Sequence, residues 1–414
     1  MNHPKMKYVY CGIDSHKETH YAVVLNCFFE KLGELEFRNA PSEFEAFLSD
    51  LSEFKTHGVS IAFGLEDVSA YGRNLTAFLK SKKQVVKHVN ASLVASERNS
   101  MNTLHKTDSV DAECAARVLL SKFDGLPDAD TQDKYWVLNQ LVMRIRLITK
   151  MNSMLKTHTH SYLTSHYSSY THFFSTIDCK SGLAFFEKYP SPSTLKDVSA
   201  EELEAFLADA SSNKAKKGAA KKILEHVRKD GDTTTDYQEI RDMAVKSAVR
   251  QIKGNYAEIE HINGLIEDFL QNFDYKLESM NGIDTVTAAD LIAEIGDIKK
   301  FQTPAKLARY SGIAPATYSS GKTNLQYANE RGNRVLNQLF YRIAVMVIMT
   351  VGKDKRILNP FFYHYYKKKI SEGKTKGQAL KCVERRLVNI IWRMMTYNME
   401  YLNPPAEDSK ENSE

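Results

Sequence analysis

An α/β domain followed by an all-α remainder is the fold class this chain predicts, on three observations. Over residues 1–128, apolar runs of strand length alternate with amphipathic helical stretches. Over 129–277 the strand runs stop and apolar residues recur every three or four positions, as on long helices. A third, mostly helical segment fills 278–402, and the polar, Pro-containing tail 403–414 is expected to be disordered.

The elements follow in order. Residues 8–14, 20–26 and 33–39 read as three successive strands with short connections. A helix is expected over 41–56, where Phe44, Phe47, Leu48, Leu51 and Phe54 form one stripe. VSIAFGLE, ending in Glu66, is a continuous apolar strand; a helix over 71–81 and the strand QVVKHV come next. A helix then opens near Thr107 and runs through DSVDAECAARVLLSKF, giving the order β-β-β-α-β-α-β-α and a mixed sheet. Further on, Leu138, Leu141, Ile145, Ile148 and Leu155 mark one long helix, and the apolar series from Val245 to Phe273 marks another. Their spacing suggests a coiled-coil-like pair, with Asn152 interrupting the first seam. Between them, PSPSTL and the basic stretch NKAKKGAAKK, Lys214 to Lys222, read as a loop-rich cap.

Composition narrows the function classes. A hydrophobic content of 43% is enough for ordinary cores, and a net charge of +5 is small for 414 residues, so it permits a nucleic-acid partner without requiring one. Five scattered cysteines with no C-x-x-C pair fit a reducing compartment. The N-terminus lacks the apolar segment of a signal peptide, and no apolar run is long enough to cross a membrane, so a cytoplasmic location without membrane partners is expected.

Four carboxylates stand out. Asp14 ends the first strand, where desolvating a charge is unfavourable, and Glu66 ends the fourth. Asp108 and Asp111, three apart, share one face of the helix that opens near Thr107. Taken singly, each is more often a helix cap or a solvated turn residue. Together they can converge on one site, which is electrostatically unfavourable unless cations fill it. Mg²⁺ is the expected cofactor, because it takes carboxylate oxygens and keeps waters. Two such ions would suit phosphodiester chemistry. His16 and Lys17 lie in the adjoining turn, where solvation is the simpler role than phosphate contact.

The C-terminal segment adds weaker signals. SMNGIDTVTAADLIAEIGDIKKF resembles a helix-hairpin-helix, whose exposed turn amides hold phosphate, although a plain helical hairpin fits as well. The stretch from Pro360 to Met395 interleaves aromatics with Lys and Arg, which suits core packing and nucleic-acid contact alike.

GIDSHK, GLED-VSAYG and HKTDSVDAECAARVL resemble the N-terminal domain of the DEDD-type insertion-sequence transposases, a family with a RuvC-like ribonuclease-H fold whose members are guided by a bridge RNA. The chain departs from the family pattern at Ser69 and Ala70, where a Gly pair is usual. The resemblance spans about 8 to 395. It implies a DNA recombinase with a composite site: Asp14, Glu66, Asp108 and Asp111 as catalytic metal ligands, and a serine from the second domain. The family's Pro, Ser-Gly and Gly-Asn signposts match Pro315, Ser320-Gly321 and Gly332-Asn333, so its nucleophile maps to Ser320, with Ser319 the alternative. Nucleic-acid contacts are expected from Lys17, Lys106, Lys322, Arg331, Arg334, Lys367, Lys368 and Arg385. DNA, a structured guide RNA and further copies of the chain, as a dimer or tetramer, are the implied partners. The rival readings are a RuvC-type junction-resolving nuclease that uses water, and a related DNA invertase.

Overall fold

The computed structural model describes residues 4–402 apart from 56–57, 67–69, 102–105, 130–132, 214–216, 321–322, 328, 330–331 and 353, so the expected disorder of 403–414 lies outside the described residues. The chain forms two compact units, Met1–Trp136 and Val137–Glu414.

The first unit is built on a five-stranded mixed sheet of order β3-β2-β1-β4-β5. β1 (Tyr8–Ser15), β2 (Thr19–Leu25) and β3 (Lys31–Arg38) form an antiparallel meander. Helix α1 (Phe44–Asp50) leads to β4 (Ser60–Leu65), and α2 (Arg73–Ser81) leads to β5 (Val85–His88); β1, β4 and β5 run parallel. Two helices follow, α3 (Ala91–Ser100) and α4 (Asp108–Lys122). β1 is mostly apolar up to Ile13 because both of its faces are covered. Val9, Cys11 and Ile13 join Phe44, Phe47, Leu75 and Leu79 on one side, and Tyr10 joins Cys114, Val118 and Leu119 on the other. β3, at the edge, has no buried residue, and its charged positions face water.

Three local differences from the sequence reading have physical causes. The stretch 41–56 is helical only over Phe44–Asp50, with 3-10 turns at Pro41–Glu43 and Leu51–Phe54. Strand β4 stops at Leu65, so Glu66 lies one residue beyond it. Helix α3 was not legible in the sequence, because it buries only Val94 and has almost no apolar periodicity to read. It is started by Asn90, whose side chain accepts from the Ser92 amide.

Gly12 sets the distance between sheet and helix. A side chain there would run into the Ala112 carbonyl and the Ala116 amide of α4, so β1 and α4 meet backbone to backbone. Asp14, two residues on, is on that same face of the strand.

The second unit opens with α5 (Asp133–His166), whose first turn belongs to the first unit. Helices α6 (Lys180–Lys188), α7 (Ala200–Ala210) and α8 (Ala219–Asp230) follow, then α9 (Gln238–Leu270). The region read as a loop-rich cap is therefore largely helical. Leu183, Phe185, Phe186, Leu203, Leu207 and Ile223 give it a core of its own, shared with Leu163 of α5 and Val245, Val249 and Ile252 of α9. The apolar seam of α9 is thus spent inside the chain. Asn152, buried in α5, accepts from Asn255 Nδ2 at 2.7 Å, so the residue that breaks the seam is matched by a polar partner on α9.

The rest of the unit comprises α10 (Thr285–Ile295), α11 (Pro304–Tyr310), the hairpin β6 (Ala316–Ser320) and β7 (Thr323–Tyr327), α12 (Arg334–Val347), the short strands β8 (Thr350–Val351) and β9 (Arg356–Ile357), α13 (Pro360–Ser371) and α14 (Lys376–Tyr397). Gly282 precedes α10 with a positive φ, and its Cβ position lies 2.9 Å from Val347, so that side of the turn is packed against α12. Among the described residues no helix is long and apolar enough to cross a membrane.

Candidate active site

The sheet register brings the first two acids together. Ile13 of β1 lies opposite Leu65 of β4, and the next residues, Asp14 and Glu66, leave the C-terminal ends of two adjacent parallel strands. In open α/β sheets that edge is where ligands bind. Helix α4 supplies the other pair. Its N-cap is Thr107, whose hydroxyl accepts from the Val110 amide, so neither Asp108 nor Asp111 is the cap. Both sit in the first turn, where the helix dipole favours negative charge. A hydrogen bond from Ser109 Oγ to Glu34 Oε2 (2.7 Å) ties this turn to β3.

His16 and Arg98 complete the cluster. The His16 Nε2 atom lies 3.1 Å from Asp14 Oδ2 and 3.3 Å from Asp108 Oδ1. Toward ionised carboxylates this ring nitrogen would act as the donor. The turn that presents His16 is fixed by Asn39, whose Nδ2 donates to the carbonyls of His16, Lys17 and Tyr71. Arg98, on α3, forms an ion pair with Asp111. The Asp14 and Asp111 side chains are only 13% and 10% exposed, against 59% for Asp108, so two acids are recessed and one is open to solvent.

The electrostatics agree with one shared cluster. Burial pushes the Asp14 carboxyl above its ordinary range; His16 opposes this, while Asp111 and Asp108 add to it. Burial also pushes Glu66 up, with Asp14 and Asp111 adding to it and Lys106 and Arg98 opposing. These are carboxylates short of positive charge. Ligand atoms of Asp14, His16 and Asp108 lie within 4.8 Å of one another. A carboxylate-rich set in which Asp14 and Glu66 are raised fits a hard divalent cation, which Asp14 and Asp108 would hold, with Glu66 and Asp111 beside them.

A prediction follows from the sign of the Asp14 shift. Its folded-state value lies above the ordinary 3.8, so the folded protein binds more protons than the unfolded chain between those two values. Stability is then lost as pH rises through that window, and the deficit persists at neutral pH. Asp14→Asn is expected to stabilise the metal-free protein at neutral pH and to make less difference near pH 4. Thermal unfolding in chelator at both pH values checks this, and an equal shift at both would contradict it.

The candidate serine lies in the other unit. Ser320 is the last residue of β6, paired with Thr323, and Ser319 pairs with Asn324. The Ser319 and Ser320 side chains, Lys322 and Arg331 lie outside the described residues. The base of the hairpin is firmly held. Gly332 presses against Gly312 backbone to backbone. Asn333 caps α12 through Leu336 and donates to Glu294 Oε2 at 3.0 Å. Arg146 binds both Glu294 and Asp290, and Asp290 also accepts from Arg342 Nη2 at 2.8 Å. Asp290 is buried, and its two guanidinium partners compensate its charge.

The expected nucleic-acid contacts separate into groups. Lys17 and Lys106 are exposed in the first unit, where Lys106 acts on Glu66. In the second unit, Arg334 and Arg385 line one cavity, while Lys367 and Lys368 are exposed on α13 outside its lining. Of the basic stretch Lys214 to Lys222, Lys217, Lys221 and Lys222 are described and exposed.

Comparison with known proteins places this geometry. Residues 11–168 match the DEDD transposase family of the IS110 type, and residues 274–359 match the transposase IS116/IS110/IS902 family. The uncharacterized protein of insertion element IS116 from Streptomyces clavuligerus is 25% identical over 94% of both chains. That of insertion element IS900 from Mycobacterium paratuberculosis is 21% identical over 95% of this chain and 97% of its own. A pilin gene-inverting protein from Moraxella lacunata is 25% identical over 46% of this chain and 60% of its own. The DEDD transposase domain is RuvC-like, in keeping with the mixed sheet of the first unit.

Proposed function

We propose that this chain, which belongs to the IS110/IS116 family of DEDD transposases, moves an insertion sequence by cutting and rejoining DNA through its acidic cluster and a serine of its second unit. It is an enzyme acting on DNA. The observation that carries the reading is the meeting of Asp14 and Glu66, at adjacent parallel strand ends, with the first turn of α4.

Family members usually use a divalent metal; here Mg²⁺, held by the four acids, would supply charge neutralisation at the phosphate. The chain's own groups do the rest. Asp14 and Asp111, recessed, fix the position of the reacting phosphate's counter-charge. Lys17 and Lys106 attract the DNA backbone. Ser320 Oγ attacks phosphorus, so a serine–phosphate ester forms as the bond to a sugar oxygen breaks. Rejoining reverses the exchange with a different sugar oxygen, so no outside energy source is needed. The hydroxyl needs a base or metal to activate it, and the acidic cluster, in the same chain or a second copy, is the evident source. The decisive experiment is recovery of a DNA–serine adduct mapped to its peptide.

The similarity to a gene-inverting protein supports a second reading, inversion of a fixed chromosomal segment by the same chemistry. Repeats and structured non-coding sequence beside the gene would separate the two and would favour guidance by a bridge RNA. The exposed basic residues Lys217, Lys221 and Lys222 are the candidate RNA contacts.

Self-association is part of the proposal. With Val245, Val249 and Ile252 of α9 packed inside the unit, one exposed apolar stripe among the described residues is Met143, Leu147, Met151 and Met154 of α5, at three- and four-residue steps. Light scattering of the full chain at micromolar concentration is expected to show a dimer or larger, and Leu147→Glu is expected to dissociate it. A wild-type monomer, with and without nucleic acid, would rule this out.

A further inference from the structure

A basic cleft of about 1340 Å³ lies at the foot of the β6–β7 hairpin. One face of α14 forms a wall, carrying Lys381, Arg385 and Arg386; the start of α12 brings Arg334, and the turn before α14 brings Lys374. No Asp or Glu is among its described lining residues. Five cations thus face one space with no acid among its described lining residues, which gives the cleft a local positive charge.

The cations are held in defined places. The Arg386 guanidinium lies 4.7 Å from the Phe361 ring centre and 4.6 Å from that of Tyr365. Arg385 Nη1 donates to Asn389 Oδ1 at 2.7 Å. Lys381 leans on the buried Glu384 at 2.6 Å. Tyr365 and Tyr327 line the same space, which adds aromatic faces to the charge.

We infer that this cleft binds an unpaired DNA strand, and that it leads the strand to the hairpin that carries Ser320. That the strand is DNA rests on the proposed function; that it is unpaired rests on shape. A duplex is read by an element that projects into its groove, and this surface is concave. A basic groove with aromatic faces is the arrangement that tracks a single strand, by phosphate contact and base stacking. The space also exceeds the roughly 300–1,000 Å³ typical of small-molecule pockets. Tyr327 pairs with Ala316 at the foot of the hairpin, and Ser320 is at the other end of the same strand, so a nucleic-acid strand entering the cleft has the hairpin as its continuation.

The test is binding, not recombination, so it is independent of the serine mechanism. Fluorescence anisotropy with labelled oligothymidylate, a duplex of equal length and oligouridylate would be measured on the full chain over a range of salt. The oligothymidylate is expected to bind most tightly. Arg334→Ala/Lys374→Ala is expected to weaken it about tenfold or more and to flatten the log–log salt dependence by about 1.4, at roughly 0.7 per lost phosphate contact on a single strand. Lys229→Ala/Lys276→Ala, which removes the same charge from exposed positions elsewhere in the unit, is expected to leave both unchanged. Preference for the duplex or for oligouridylate, an equal loss in both double variants, or no loss in either would overturn the inference. Loss of binding in the cleft variant alone would uphold it even if Ser320 proved not to be the nucleophile.

Discussion

Asp14→Asn and Asp111→Asn are each expected to reduce strand exchange by about 10²- to 10³-fold, the scale on which removing one preorganised electrostatic group acts at a reacting centre. Both changes keep the side chain's shape and remove its charge. Asp14 sits where β1 meets the first turn of α4, among groups that already compete for positive charge. Without its carboxylate, a divalent cation would lose a recessed oxygen ligand. Asp111 differs, because Arg98 is bound to it, and Asp111→Asn also frees that guanidinium inside the cluster. The two variants are therefore expected to share the catalytic defect and differ in stability, with Asp14→Asn the more stable at neutral pH. Calorimetric titration with Mg²⁺ gives a second readout: binding should weaken in both. Near-normal recombination by both variants would remove the acidic cluster from the mechanism, whatever its geometry.

Much of the first unit was legible because a sheet covered on both faces writes itself as apolar runs. Ile13 opposite Leu65 is the register that such runs allow, and it brings Asp14 and Glu66 together. The acid pair on α4 was legible from its three-residue spacing. What escaped notice has no local signature. Arg98 meets Asp111 only because α3 packs on α4, and α3 itself has one buried residue to announce it. His16 left a fainter trace: it is two residues from Asp14, a spacing that shares a sheet face, but a turn residue in a polar loop reads first as solvated. In the second unit, helical spacing marked α5 and α9 but not how their faces are used. The partner of Asn152 is Asn255, 103 positions away, and no periodicity contains that fact.

Ser320→Ala is expected to abolish the covalent DNA adduct and recombination together, while DNA binding persists. The argument is one of chemical economy. A serine ester conserves the phosphodiester's bond energy between cutting and rejoining, whereas attack by water discards it. A protein nucleophile is one way to recombine without an added energy source, and in the proposed mechanism the Pro315 to Asn333 stretch provides it at the end of β6. The base of that hairpin is clamped by Gly312 against Gly332 and by Asn333 on Glu294, which suits a residue that must be presented accurately. Halting the reaction on a nicked or suspended DNA substrate, digesting the protein and sequencing the DNA-linked peptide by mass spectrometry reads the site directly. An adduct that survives in Ser320→Ala and vanishes in Ser319→Ala would move the nucleophile by one residue. That shift would put it on the opposite face of β6, since successive strand residues point to opposite sides, so the two serines cannot substitute for each other in one geometry. Normal recombination in both variants would remove these two serines from the mechanism and leave the acidic cluster to act without them.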